Sequence, residues 1–169
     1  MYDLKFSEPS LTSWALLRQT WAVMDKLAEI RLAKVGLTPE KIAVLWACKE
    51  HPGPLIPAEI ARFVSRESQS VTGLLNRMER EGLVTRIPKR KGKPYTEIKL
   101  TAKGEEVCEK GIAVLKKVID DQMATLPQNE LNQLDNRLRA LRQQAVDSLH
   151  IELTPPPTVP AEKTIEVKW

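Results

Sequence analysis

Two clusters of side chains in this sequence have the types and spacing to do chemistry, and both suit a polyanion. In RIPKRKGKPYTEIKLT, residues 86–101, Lys89, Arg90, Lys91 and Lys93 crowd around Gly92. Four cations that close repel one another, so an external anion should offset the repulsion. A row of phosphates would, and each one neutralised adds about 0.9 to the negative slope of log affinity against log salt. Just upstream, SQSVTGLLNRMER carries Ser68, Gln69, Ser70, Thr72 and Asn76. Gln and Asn pair bidentately with adenine, while Ser and Thr reach phosphates or base edges. The same residues could equally be an ordinary solvated face. Gly73, among them, removes a side chain and would let a backbone come close. Arg77 and Arg86 either neutralise phosphates or fix the basic hairpin to its neighbouring helix.

Charge distribution supports the same chemistry. The formal net charge is +4 over 169 residues. From Arg62 to Lys99 ten Lys/Arg face four acids, an excess of +6, which leaves −2 for the rest of the chain. One segment therefore holds the positive potential, as a nucleic-acid-binding face does. No nucleophile–base pair, glycine-rich phosphate loop or paired-carboxylate signature is present, so an enzyme is not expected. His51 and His150 are too few and too separated for a metal site, and no cofactor is implied. No apolar run reaches the roughly 20 residues of a membrane span. The N-terminus MYDLKFSEPS lacks a secretory pattern. Cys48 and Cys108, far apart in sequence, suit reduced thiols in a cytoplasmic protein. Cys108 lies among Glu105, Glu106 and Glu109, acids that raise a thiol's pKa, so neither cysteine is expected to sense oxidants.

The elements that must position these residues follow from periodicity. Pro9 to Val35 is helical, with one apolar stripe (Trp14, Leu17, Trp21, Met24, Ala28) and a second beside it (Leu16, Val23, Leu27, Ile30). Two stripes are more than one lobe needs, so this helix should pack on two bodies. Thr38 and Pro39 open a helix whose apolar face is Ile42, Leu45 and Trp46, and HPGP ends it. Two short helices follow; the second turns Val71, Leu74, Leu75 and Met78 inward. Past Gly82 the period falls to two, and Leu83–Ile87 and Tyr95–Leu100 read as hairpin strands. Thr101 caps a long helix with Val107, Val114, Leu115, Val118, Ile119 and Met123 as its apolar set. A last helix repeats Leu131, Leu134, Leu138, Leu141 and Ala145, the seam of a helix pair. The Pro-rich end cannot continue it.

Helix, short turn, helix, glycine and hairpin is the order of a winged helix-turn-helix, whose second helix enters a major groove. The blocks LTPEKIAVL, IARFVSRESQSVTGLLNRMEREGLVTR and IKLTAKG resemble the successive signatures of the MarR family of bacterial transcription regulators. The resemblance runs over roughly residues 11–149. It implies a mostly α fold with a small β-hairpin wing (α+β), the winged helix-turn-helix set between long N- and C-terminal dimerisation helices. The corresponding division is 1–36, an N-terminal dimerisation helix; 37–101, the DNA-binding lobe; 102–150, the C-terminal dimerisation helices; and 151–169, an extended tail. It further implies a homodimer on near-palindromic double-stranded DNA, a repressor in the usual case, often released by a small aromatic or phenolic effector. Trp14, Trp21 and Trp46 could line the effector cleft or simply be core. In one respect the sequence departs from the family: Gly92, Lys93 and Pro94 stand where an Asp-x-Arg wing motif is common. Arg90 or Lys93 would have to replace the missing arginine. The competing expectation is a winged-helix protein-interaction module. Against it, the polar face of the second helix lacks the aromatic and aliphatic anchors an interface uses.

Overall fold

A computed structural model describes residues 2–51, 55–64, 68–87 and 96–150. Helix α1 (Pro9–Ala33) begins with proline at its first position, where the missing N–H costs nothing. It closes with Leu37 N donating to Leu32 O (3.1 Å) and Gly36 N to Ala33 O (3.1 Å), which satisfies carbonyls the helix leaves open. Only its C-terminal end joins the core, through Ala28 and Leu32. Helix α2 (Pro39–Glu50) is capped by Thr38, whose side chain accepts from Lys41 N at 3.3 Å. It buries Ile42, Val44, Leu45 and Ala47, while Trp46 is half-buried against Phe63.

Helix α3 (Pro57–Phe63) contributes Ile60 and Ala61 to the core. Helix α4 (Ser68–Arg80) buries Val71, Leu74, Leu75 and Met78, the four positions its sequence pattern turns inward. It ends as α1 does, Leu83 N donating to Met78 O and Gly82 N to Glu79 O, both at 2.9 Å. Gly82 takes φ +72° there, a conformation an L side chain resists.

Strands β1 (Val84–Ile87) and β2 (Glu97–Leu100) pair antiparallel, Val84 opposite Leu100 and Arg86 opposite Ile98. Both are shorter than the period-two pattern predicts. Leu83 and Thr96 lie outside the ladder, and Tyr95 lies outside the described residues. No sequence pattern marks Leu55, which bridges to Ile98 on the other side of β2 (Ile98 N to Leu55 O, 2.8 Å).

Helix α5 (Ala102–Met123) is capped by Thr101, whose hydroxyl accepts from Gly104 N (2.9 Å) and donates to Gly82 O (2.6 Å). Its innermost line is Gly104, Cys108, Gly111 and Val118, of which the pattern selects Val118 alone. Val107, Val114 and Leu115 flank that line, half-buried. The reason is closeness: a Cβ on Gly104 would sit 1.9 Å from Leu83 O. Helix α6 (Gln128–Ser148) buries none of its residues. Among the described residues no helix is long and apolar enough to cross a membrane.

Candidate nucleic-acid interface

Helix α4 is the element that positions most of the polar candidates. Its apolar quarter is locked in the core, so the opposite face must point out. Gln69, Thr72, Gly73, Asn76 and Arg80 share that outward face, and all are exposed. Ser68 opens the helix. Ser70 and Arg77 lie on the flank toward α2. There they line an open groove of about 540 Å³ with Thr38, Lys41 and Leu74. The structure therefore splits the candidate set into an outward face and a flank. Arg77 is exposed and makes no ion pair among the described residues, whereas Arg80 Nε donates to Asn76 O (3.3 Å). At Gly73 an added Cβ would meet nothing within 4 Å, so nothing inside the chain requires glycine there.

The C-terminal end of α4 is held from three sides. Lys41 of α2 bonds Glu81 at 2.6 Å, and Lys103 of α5 donates to Glu81 O at 2.8 Å. From β1, Arg86 Nη1 meets Glu79 Oε2 at 3.2 Å, and the Arg86 backbone N donates to Glu79 Oε1 at 3.1 Å. Of the two roles open to Arg86, the geometry displays the one that fixes the hairpin to the helix. Lys89, Arg90, Lys91 and Lys93 lie outside the described residues, as do Gly92 and Pro94. Strand β1, which precedes them in sequence, starts directly beyond α4.

The three described tryptophans differ in their surroundings. Trp14 and Trp21, 53% and 70% exposed on α1, are outside the chain's own core, and Arg18 stacks over Trp14 at 5.3 Å. Trp46 meets Phe63 edge-on, ring centroids 5.4 Å apart. A second open groove, about 580 Å³, lies between α2, β2 and the start of α5; neither groove is lined by a tryptophan. Both thiols are held protonated. Burial pushes Cys48 up to about 12, helped by Cys108. Burial also pushes Cys108 up to about 11, against the pull of Lys49 and with Glu50 and Glu109 adding to it. The acids beside Cys108 in sequence are thus secondary to its burial. Among the described residues no three His, Cys, Asp or Glu side chains are grouped to hold a metal ion.

Comparison with known proteins agrees with this arrangement. A profile of the MarR family matches residues 35–93, from the end of the α1 turn into the wing. The HTH-type transcriptional repressor MdtR of Bacillus subtilis (strain 168) is 28% identical over 143 residues, 85% of this chain and 89% of MdtR. The 2,4-dichlorophenol-bound form of the organohalide-sensing regulator RdhR superposes with a TM-score of 0.76 at 23% identity, covering 94% of this chain and all of that one. The S. aureus MepR–DNA complex gives 0.73 at 22% identity, covering 82% and 99%. At such identities the superpositions establish the fold. Together with the profile match, the inward and outward faces of α4 and the hairpin behind it, they mark this chain as a MarR-type winged helix-turn-helix protein, similar over residues 35–93 to that family of DNA-binding regulators.

Proposed function

We propose that the chain is a cytoplasmic repressor that binds a near-palindromic operator as a homodimer and is released by a small aromatic or phenolic ligand. One observation carries the DNA-reading part: α4 buries every apolar side chain it has and presents Gln69, Thr72, Gly73, Asn76 and Arg80 to solvent. Ser70 and Arg77 extend that surface, and Ser68 begins the helix that carries it. Lys89, Arg90, Lys91 and Lys93 on the wing add the phosphate contacts. The bare apolar stripes of α1 and α6 support the homodimer, which would divide the chain into dimerisation helices (1–36 and 102–150) around a DNA-binding lobe (37–101). Two such lobes would set their α4 helices about 34–36 Å apart, or a multiple, to meet successive major grooves. RdhR is described as organohalide-sensing and holds 2,4-dichlorophenol. By analogy, exposed Trp14 and Trp21, with Trp46 nearer the core, are the aromatic surfaces from which a ligand cleft would be completed.

Sequencing of duplexes selected by the purified protein at two salt concentrations tests this directly. The expected result is an inverted repeat with half-sites one or two helical turns apart, and binding that weakens steeply with salt. Replacing Lys89, Arg90, Lys91 and Lys93 with Ala should flatten the slope by about 0.9 for each phosphate no longer neutralised. A monomer indifferent to every duplex at low salt would leave the protein-interaction reading instead.

A further inference from the structure

Among the described residues, Glu79 of helix α4 bonds the stem of the wing twice. Its two carboxylate oxygens go to different groups of the same residue: Oε2 to the Arg86 guanidinium (3.2 Å), Oε1 to the Arg86 backbone N–H (3.1 Å). A carboxylate that grips a side chain and its own main chain fixes where β1 leaves the helix, as well as how Arg86 points. Arg86 sits opposite Ile98 in the hairpin, and Ile98 is tied onward to Leu55. The register of the wing stem is thus referred back to the last turn of α4. Glu79 and Arg86 are 37% and 30% exposed in their side chains, so the ion pair by itself adds little to stability. Its consequence is positional.

We infer that Glu79 is a positioning residue for DNA binding: it sets the angle between the reading helix and the basic wing, so that both reach the duplex together. The inference rests on the DNA-binding reading above. It carries weight here because the wing tip has Gly92, Lys93 and Pro94, with no acid of its own to brace an arginine. The stem is then where a brace can act. An acid beside a polyanion site is otherwise a handicap, since it repels phosphate. Bare electrostatics and the brace therefore predict opposite signs for its removal.

The test is duplex binding by wild type, Glu79→Ala, Glu79→Gln and, as a charge control, Glu81→Gln, each over a salt series. Among the described residues, the Glu81 carboxylate bonds Lys41 of α2 and neither strand. Glu79→Ala should bind about threefold to tenfold more weakly, its salt slope smaller by about 0.9 for each phosphate the misplaced wing fails to reach. Glu79→Gln keeps an oxygen for the Arg86 N–H and should recover part of the loss while staying below wild type. Glu81→Gln should bind as well as wild type or better. A melting temperature for each variant separates misfolding from misplacement; if the alanine variant does not fold, the glutamine variant decides. Either folded Glu79 variant binding at or above wild type, with an unchanged slope, overturns the inference. Failure of wild type to bind any duplex would strike the DNA reading itself, a distinct result.

Discussion

Helices α4 and α6 share an amphipathic repeat, yet one closes within the chain and the other does not. In α4 the apolar line Val71, Leu74, Leu75 and Met78 is buried to 8% exposure or less, pressed on α3, β1 and the core beyond. In α6 the corresponding line of Leu134, Leu138 and Leu141 is 36–60% exposed. Helix α1 holds both conditions along one rod: Ala28 and Leu32 are covered, while Trp14, Leu17 and Trp21 are bare. Equal periodicity says only that a face wants covering. Which body covers it depends on whether neighbouring elements reach it, and among the described residues none covers α6. Under the homodimer proposed above, this apolar surface would be the association face.

The largest expected effect separates the two helices by mechanism. Leu75→Ala should cost about 2–5 kcal/mol in chemical unfolding, the range for emptying a fully buried leucine site, and should do so at any protein concentration. Leu138→Ala removes the same atoms from α6, and its cost should depend on concentration, because it weakens association and leaves the core of each chain alone. Leu138→Glu with Leu141→Glu should yield folded monomers by sedimentation. If both glutamates leave the dimer intact, the contrast between the two helices has been misread.

How far the sequence carries one toward this contrast differs along the chain. The inward four of α4, the Thr38 and Thr101 caps and the turn at Gly82 are local matters of periodicity and hydrogen bonding, and they are legible in order of residues. The seam of α6 is legible as a pattern. Helix α5 is where pattern misleads in part: it marks Val118 but not Gly104 and Gly111, where the Leu83 backbone and the Leu37 and Ile42 side chains leave no room for a Cβ. Hydrophobic scoring favours Val107 and Val114, one step around the helix. Leu55 is equally hidden, since a single residue pairing with Ile98 has no period. At the candidate interface, types and spacing mark the outward face of α4. The split that sends Ser70 and Arg77 to the α2 flank needs the helix's orientation in the core. The contact between Glu79 and Arg86 needs the turn between them to be folded.

Two glycines give a smaller, sharper test of closed against open surface. Gly104→Ala places a methyl 1.9 Å from Leu83 O, a backbone atom that cannot swing aside, so α5 must shift; the expected loss is about 1–3 kcal/mol. Gly73→Ala meets nothing within 4 Å. It should raise stability by up to about 1 kcal/mol, through helix propensity alone, while weakening duplex binding if a backbone approach is needed there. Opposite signs from one chemical change, read by thermal unfolding and by gel shift, would locate the boundary between packed and ligand-facing surface. A Gly73→Ala variant that binds DNA unchanged would remove Gly73 from the interface.

The smallest effect concerns the closed side, at the α2–α5 contact that carries Cys48 and Cys108. Folding raises both thiols from an ordinary 9.0, to about 12 and about 11, chiefly by withholding water from the thiolate. A thiol whose pKa is higher folded than unfolded binds its proton more tightly in the native state. Its contribution to stability is therefore complete below pH 9 and declines as pH climbs, until the folded values are passed. Between about pH 9 and 11 wild type should lose stability faster than a Cys48→Ala, Cys108→Ala double variant, which isolates the thiols from lysine and tyrosine titration. In the same window the native thiols should react with iodoacetamide far more slowly than those of the unfolded chain, because the reactive species is the thiolate. Rapid native alkylation at about pH 8, below the ordinary thiol range, would mean that α2 and α5 part readily, and their contact would belong with the open helices instead.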